Sequence, residues 1–284
     1  MTAQQTLSPE VNRRPHAGAR GGSTIGSRLG DLVPVAAVFV VVIVAWEVVL
    51  GALGVQQFLL PRPSVIAAAL VNEWGTLVEG LQYTTVEAVG GLAIGSVIAI
   101  AVAFATSRWL LARETLVPVA IAASAMPIIA FAPITNNWFG TESPASRMTI
   151  VAVMVFFPIL VNTVRGLTSV DPGAIELMDS YAASDWQILR QIRVPNARPY
   201  ILTAFKVATT LSVIGAVIGE YFGGPRQALG IYITGEATLF RFANAWAAIV
   251  LACALGIGLY LIVAAVERVV LPWHASGGRG DALR

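Results

Sequence analysis

The chain has 284 residues, of which 56% are hydrophobic and 12% charged, with a formal net charge of +2 and a mean hydropathy of +0.74. A soluble globular domain carries about 25% charged residues, so the deficit argues for a chain solvated mainly by lipid, with room for about six spans of roughly 20 residues. The small net charge gives no reason to expect nucleic acid, and the lone cysteine, Cys253, excludes an intrachain disulfide or a thiol-built metal cluster.

Residues 1–30 are polar, with Arg13, Arg14, Arg20, Arg28 and several glycines and prolines, and read as a disordered tail. The apolar run that follows is too long for a signal-peptide core and reads as a retained first span. Apolar segments at about 32–53, 84–106, 114–135, 148–167, 200–222 and 244–266 each approach the length that crosses roughly 30 Å of hydrocarbon as a helix. Helix is the expected form, because lipid offers the backbone no hydrogen-bond partner. The predicted fold is therefore all-α: a polytopic membrane helix bundle of about six transmembrane helices over 31–272, followed by a tail at 273–284.

Between the first two spans, Pro61 and Pro63 break the chain. Ser64 is positioned to cap a short interfacial helix through about Gly80, with Trp74 as an anchor. Gly90, Gly91 and Gly95 in the second span favour close helix approach, either as internal packing or as a seam with another subunit. Pro118, Pro127 and Pro133 predict that the third span is kinked or broken.

With the N-terminus in the cytoplasm, 14 basic residues fall on the cytoplasmic side and four, Arg62, Arg147, Arg226 and Arg241, fall outside. This bias places both termini and the 168–199 loop in the cytoplasm.

That loop is the charged island ELMDSYAASDWQILRQIRVP at 176–195. Asp171 before Pro172 starts one helix, running to about Tyr181. Ser184 with Gln187 forms a capping-box pattern and starts a second, from Asp185 to about Ile192, which is expected to end before Pro195. The pair is joined by an elbow at 182–184. Trp186, Leu189, Ile192 and Arg193 are expected on roughly one side of the second helix. Two readings stand: a loop packed under its own bundle, or a knob offering an aromatic residue to a partner's groove.

The island resembles the EAA loop of ABC-importer permeases. In that family a glutamate is followed after six residues by glycine, after ten more by isoleucine and after three more by proline; here these are Glu176, Ala182, Ile192 and Pro195. The family's two alanines after the glutamate are Leu177 and Met178, and its elbow glycine is Ala182. If that position is left-handed, alanine costs about 1 kcal/mol relative to glycine. The resemblance extends over about 33–270. FLLPRPSVIAAAL, APITNNWFG and VFFPILVNTVRGL are similar to the subgroup importing nitrate, sulfonates, taurine, pyrimidine vitamin precursors and riboflavin-like compounds.

The resemblance implies a second permease copy or related permease, two ABC ATPase subunits that carry the ATP and Mg, and an extracytoplasmic substrate-binding protein. It implies a bacterial inner membrane, with the loop helix seated in a cleft of the ATPase. Glu176, Asp179, Tyr181, Ala182, Ser184, Asp185, Trp186, Leu189, Arg190 and Pro195 are the candidate coupling residues.

No catalytic chemistry of its own is expected. The one lysine, Lys206, is not preceded by a phosphate-binding glycine loop, and His16 and His274 have no partner pattern. A membrane enzyme would need a histidine or acid cluster at one depth, and an ion-driven transporter would have no use for an ATPase-docking loop. Ionisable groups within spans are functional candidates by default: Glu47, Glu87, Lys206 and Glu220. Lys206 is also placed to snorkel or to brace the loop. The expected substrate pathway comprises Glu87, Pro127, Pro133, Asn136, Asn137, Trp138 and Glu220, with the two amides able to bond a polar ligand or simply marking a wet helix end. Glu87 and Glu220 would repel an anion, which favours a neutral or weakly cationic organic substrate.

Overall fold

The structure, a computed structural model, describes residues 25–106 and 110–271. Both tails expected from the sequence, with His16 and His274, lie outside those residues apart from the helical start at Ile25. The chain divides into two units, 1–52 and 53–284. The described part of the first is one helix, α1 (Ile25–Ala52), with Pro34 inside it and an apolar stretch over Ala36–Ala52. Glu47 is half-buried on α1.

The second unit is a helical bundle with no strand among its described residues. α2 (Pro63–Asn72) has proline in its first turn, which suits the fixed φ of that residue. Its N-cap falls on Arg62 rather than on Ser64, and it ends at Asn72, eight residues short of the expected 64–80 helix, because the chain bends at Glu73. α3 (Trp74–Thr106) therefore starts ten residues earlier than its apolar run suggests. The expected helix ending near Gly80 and the span beginning at 84 leave only residues 81–83 between them, and these are helical too, so that Glu79, Gln82, Thr84 and Glu87 share one helix. Trp74 is exposed at its first position.

α4 (Leu110–Ser124) carries Pro118 within it, so that proline does not break the span. The break comes at Ala125–Pro127. A short 3-10 turn at Ile128–Phe131 and α5 (Ala132–Phe139) follow at 80° to the preceding helix. α6 (Pro144–Thr168) is capped by Ser143 and is the centre of the bundle, packed on α3 on one side and on the later α9 on the other. α7 (Pro172–Ser180) and α8 (Asp185–Ile188) form the elbow. α9 (Val194–Glu220), α10 (Leu229–Thr238) and α11 (Phe242–Val270) complete the unit. α10 was not expected. It is short, lacks a side-chain cap and contains Gly230 and Gly235, so no local signal marks it.

Among the described residues four helices are long and apolar enough to cross a membrane, with a fifth span if the bent pair is taken as one. The count of six is thus approximate. The α3–α6 contact is made by small residues: a Cβ on Gly91 would lie 2.4 Å from Val151 Cβ, and one on Gly95 would lie 2.4 Å from the Ala152 carbonyl oxygen. These glycines serve packing within the chain, which settles their role in favour of internal contact.

Candidate functional site

Two constellations matter, at opposite ends of α6 and roughly 30 Å apart by the rise of that helix. The first is the elbow. Asp171 accepts a hydrogen bond from the Gly173 amide at 3.0 Å and starts α7. At the far end of α7 the Ala182 amide donates to Asp179 O and the Ala183 amide to Met178 O. This is a Schellman closure, which requires a left-handed residue after the helix. That residue is Ala182, at φ +52°. The elbow therefore does use the conformation that glycine would adopt freely.

The Ser184–Gln187 capping box is formed: the Gln187 side-chain oxygen accepts from the Ser184 amide at 2.7 Å, and Ser184 Oγ accepts from the Gln187 amide at 3.4 Å. The second helix does not end before Pro195. A π turn at Leu189–Arg193 links α8 to α9, and Asp185–Glu220 runs as one 36-residue helix. The reason is the register shift of the π turn: Val194 N–H bonds Leu189 O, five residues back, which loosens the turn where Pro195 would clash with the preceding carbonyls.

Exposure sorts the coupling candidates. Tyr181 is 77% exposed and Trp186 59%, and Glu176, Asp179, Ala182, Ser184, Asp185 and Arg190 are exposed as well. Leu189 is only 8% exposed and Ile188 is also buried, so Trp186 and Leu189 do not share an outward face as expected. The shift to π spacing after Ile188 and the packing of the π turn against α6 and α9 turn Leu189 inward. Pro195 is half-buried. Beyond the π turn, Asn196 Nδ2 donates to Gly166 O at 2.8 Å, and a Cβ on Gly166 would meet Ala197 Cα at 2.8 Å. The start of α9 is thereby fastened to the end of α6, while α7 and α8 stand outside.

The second constellation lies at the other end. Arg147, assigned from the sequence to an outer loop, occupies the first turn of α6 and is fully buried. Its Nε donates to Glu87 Oε1 on α3 at 2.5 Å, and its Nη1 to Thr141 O at 2.8 Å and Gly223 O at 3.1 Å. Glu220, at the end of α9, accepts from Thr84 Oγ1 at 2.7 Å and from the Gly230 amide at 2.6 Å. Asn136 is buried nearby, donating to Phe222 O at 3.0 Å and accepting from Ser146 Oγ at 2.5 Å. Of the expected pathway residues, Glu87, Glu220 and Asn136 are thus committed to the protein's own groups. Pro127, Pro133, Asn137 and Trp138 are exposed. Lys206 pairs with Glu267 on α11, which makes it a brace between α9 and α11. Neither Arg147 nor Glu267 had been singled out; the missed signal for Arg147 was its spacing just after a Ser-Pro helix start.

A groove of about 650 Å3 runs between α9 and α11. Its lining includes Thr210, Val213, Val217, Tyr221, Ile249 and Tyr260, with no charged side chain.

Residues 91–272 match the family model described as "Binding-protein-dependent transport system inner membrane component". The chain is 30% identical over 241 residues to the riboflavin transport system permease protein RibX of Chloroflexus aurantiacus, covering 82% of this chain and 87% of that one. It is 31% identical over 241 residues to the formylaminopyrimidine transport permease protein ThiX of Halalkalibacterium halodurans, covering 83% and 94% respectively. A solved amino acid ABC transporter, crystallised with histidines, shares its fold at a TM-score of 0.56 and 14% identity over 71% of this chain and 97% of that one.

Proposed function

This chain belongs to the family of inner membrane components of binding-protein-dependent transport systems, permease subunits of ABC importers, and from that premise we propose how it works and what it carries. The elbow is the handle by which a separate ATPase drives the spans. The observation that carries this reading is the exposure of Tyr181 and Trp186 on a doubly capped pair of short helices that continues, through the π turn, into α9. A soluble protein's cleft is the natural counterpart of an aromatic on a short helix. ATP and Mg bind the partner ATPase subunits, two per transporter, and this chain performs no catalysis. A second copy or a related permease completes the pathway, a substrate-binding protein delivers cargo from outside, and the loop and both termini face the cytoplasm. Closure of the ATPases draws the handles together and opens the cavity outward by alternating access.

The substrate is a neutral organic nutrient of the pyrimidine, thiamine-precursor or riboflavin-like kind. Repulsion by Glu87 and Glu220 does not favour it, since both acids bond groups of the protein itself and Glu87 is paired with Arg147. Support comes instead from the uncharged groove along α9, which provides apolar wall and hydroxyl groups but no cation to compensate a desolvated nitrate, sulfonate or taurine sulfonate. The substrates named for the two relatives point the same way.

The test is co-expression with the ATPase subunit and replacement of Asp185 and Trp186 by alanine. Copurification and uptake are expected to fall together. Undiminished complex and uptake in both variants would remove the handle. Uptake of labelled riboflavin, a hydroxymethylpyrimidine and taurine by reconstituted vesicles decides the substrate class.

A further inference from the structure

The Arg147 cluster has no place in the handle mechanism, yet it is a buried polar network that reaches across the bundle, with Glu87 Oε2 left in it without a hydrogen-bond partner. One guanidinium joins three separate pieces of chain: Glu87 on α3, the turn between α5 and α6 through Thr141 O, and the turn between α9 and α10 through Gly223 O. Its Nη2 also reaches Glu142 O at 3.4 Å. The second turn is shaped around it. A Cβ on Gly224 would lie 3.2 Å from Arg147 Cζ and one on Gly219 3.0 Å from Cγ, while Gly223 and Gly224 sit at φ +151° and +156°, where other residues are strained. Glu220 extends the same tie to α10 through the Gly230 amide. Because the carbonyls of both turns point inward to the arginine, the side chains of Phe139, Glu142, Tyr221, Phe222 and Arg226 are left facing out.

A buried ion pair of this kind is seldom retained for stability, because apolar residues of equal volume usually do as well. What such a network supplies is a fixed relative position.

Resting on the importer reading above, we propose that Arg147 is a positioning residue: it fastens α3 and the two turns into one rigid platform through which arrival of the loaded substrate-binding protein is transmitted to the bundle. The platform moves as a body between transport states, and the deformation falls elsewhere in the chain.

The discriminating variant is the charge-removing, volume-conserving pair Glu87→Gln with Arg147→Met, reconstituted with the ATPase and the binding protein. The expected result is a folded complex in which the ratio of stimulated to basal ATP hydrolysis is reduced about tenfold, a coupling loss of ordinary allosteric size. An unchanged ratio would overturn the proposal and leave the cluster as packing. Should the pair not fold, a second measurement decides. Spin labels at positions 79, 142 and 226, all exposed, are placed pairwise in a Cys253→Ala background of the full complex. Their distances are expected to hold within about 2 Å with and without ATP, and larger changes would refute a rigid platform. If the parent complex shows no stimulation at all, the importer reading fails rather than this inference.

Discussion

The two ends of α6 are built on opposite plans. At the elbow, Asp171, Ser184, Gln187 and the Schellman turn at Ala182 hold the backbone by bonds spanning a few residues, and Tyr181 and Trp186 stand in the open. At the other end Glu87, Arg147 and Glu220 are buried, and apart from Glu87 Oε2, which has no hydrogen-bond partner, they bond groups up to 136 residues away in the chain. A surface that must be gripped takes its shape from local caps, so that its side chains stay free. An end that must keep its shape ties distant segments together through buried side chains and inward-facing carbonyls. The difference predicts that substitutions at the two ends separate stability from coupling.

The largest effect is expected from Arg147→Ala. It leaves Glu87 buried without its cation and frees the Thr141 and Gly223 carbonyls inside the bundle. Removal of one partner from a buried pair costs about 3–5 kcal/mol. Thermal unfolding in detergent should show it, along with a lower yield of folded protein. A loss below about 1 kcal/mol would mean that the cluster is far more hydrated than its burial indicates.

A smaller effect of opposite sign is expected at the elbow. Ala182 holds φ +52°, a region that glycine populates without a steric penalty. Ala182→Gly should make α7 and its turn more stable by about 1 kcal/mol, less the added freedom of glycine in the unfolded chain. Hydrogen exchange at the Ala183 and Ser184 amides is the measurement, with slower exchange expected. Faster exchange would indicate that the unfolded-chain entropy dominates.

The same contrast explains what could be read from the sequence. Asp171-Pro172 and Ser184-x-x-Gln187 are local patterns, and both caps form as expected. The proline-rich third span bends as expected, although at Ala125–Pro127 and not at Pro118, because a proline near a helix start or a sheltered turn is tolerated and only the tertiary setting decides which one breaks the chain. The polar network stayed hidden for a physical reason. Ser146 and Arg147 depress local hydropathy, so α6 was expected to begin only at about 148, and the acid that meets Arg147, Glu87, stands 60 residues earlier on α3. Their cost is offset only by one another, and no window of one segment contains both halves of a pair drawn from residues 87 and 147. The continuation of α8 into α9 was missed likewise, since Pro195 is a stop signal unless a π turn precedes it.

The smallest effect on folding is expected from Trp186→Ala, and it sharpens the contrast most. Trp186 is 59% exposed, and the helix below it is held by Ser184, Gln187 and the inward Ile188 and Leu189. Its loss removes little buried surface, so unfolding should change by no more than about 0.5 kcal/mol. An aromatic anchor at the centre of a protein interface commonly contributes 2 kcal/mol or more, so affinity for the ATPase should fall by about thirtyfold or further. Leu189→Ala, three residues on, should behave in the reverse way: about 2–5 kcal/mol lost from folding if the site cannot collapse, with affinity reduced only through that loss. Titration of detergent-solubilised permease with the ATPase, beside unfolding of each variant, gives both numbers. If Trp186→Ala unfolds as Leu189→Ala does, the tryptophan is packed within its own bundle, and the grip lies elsewhere on the elbow.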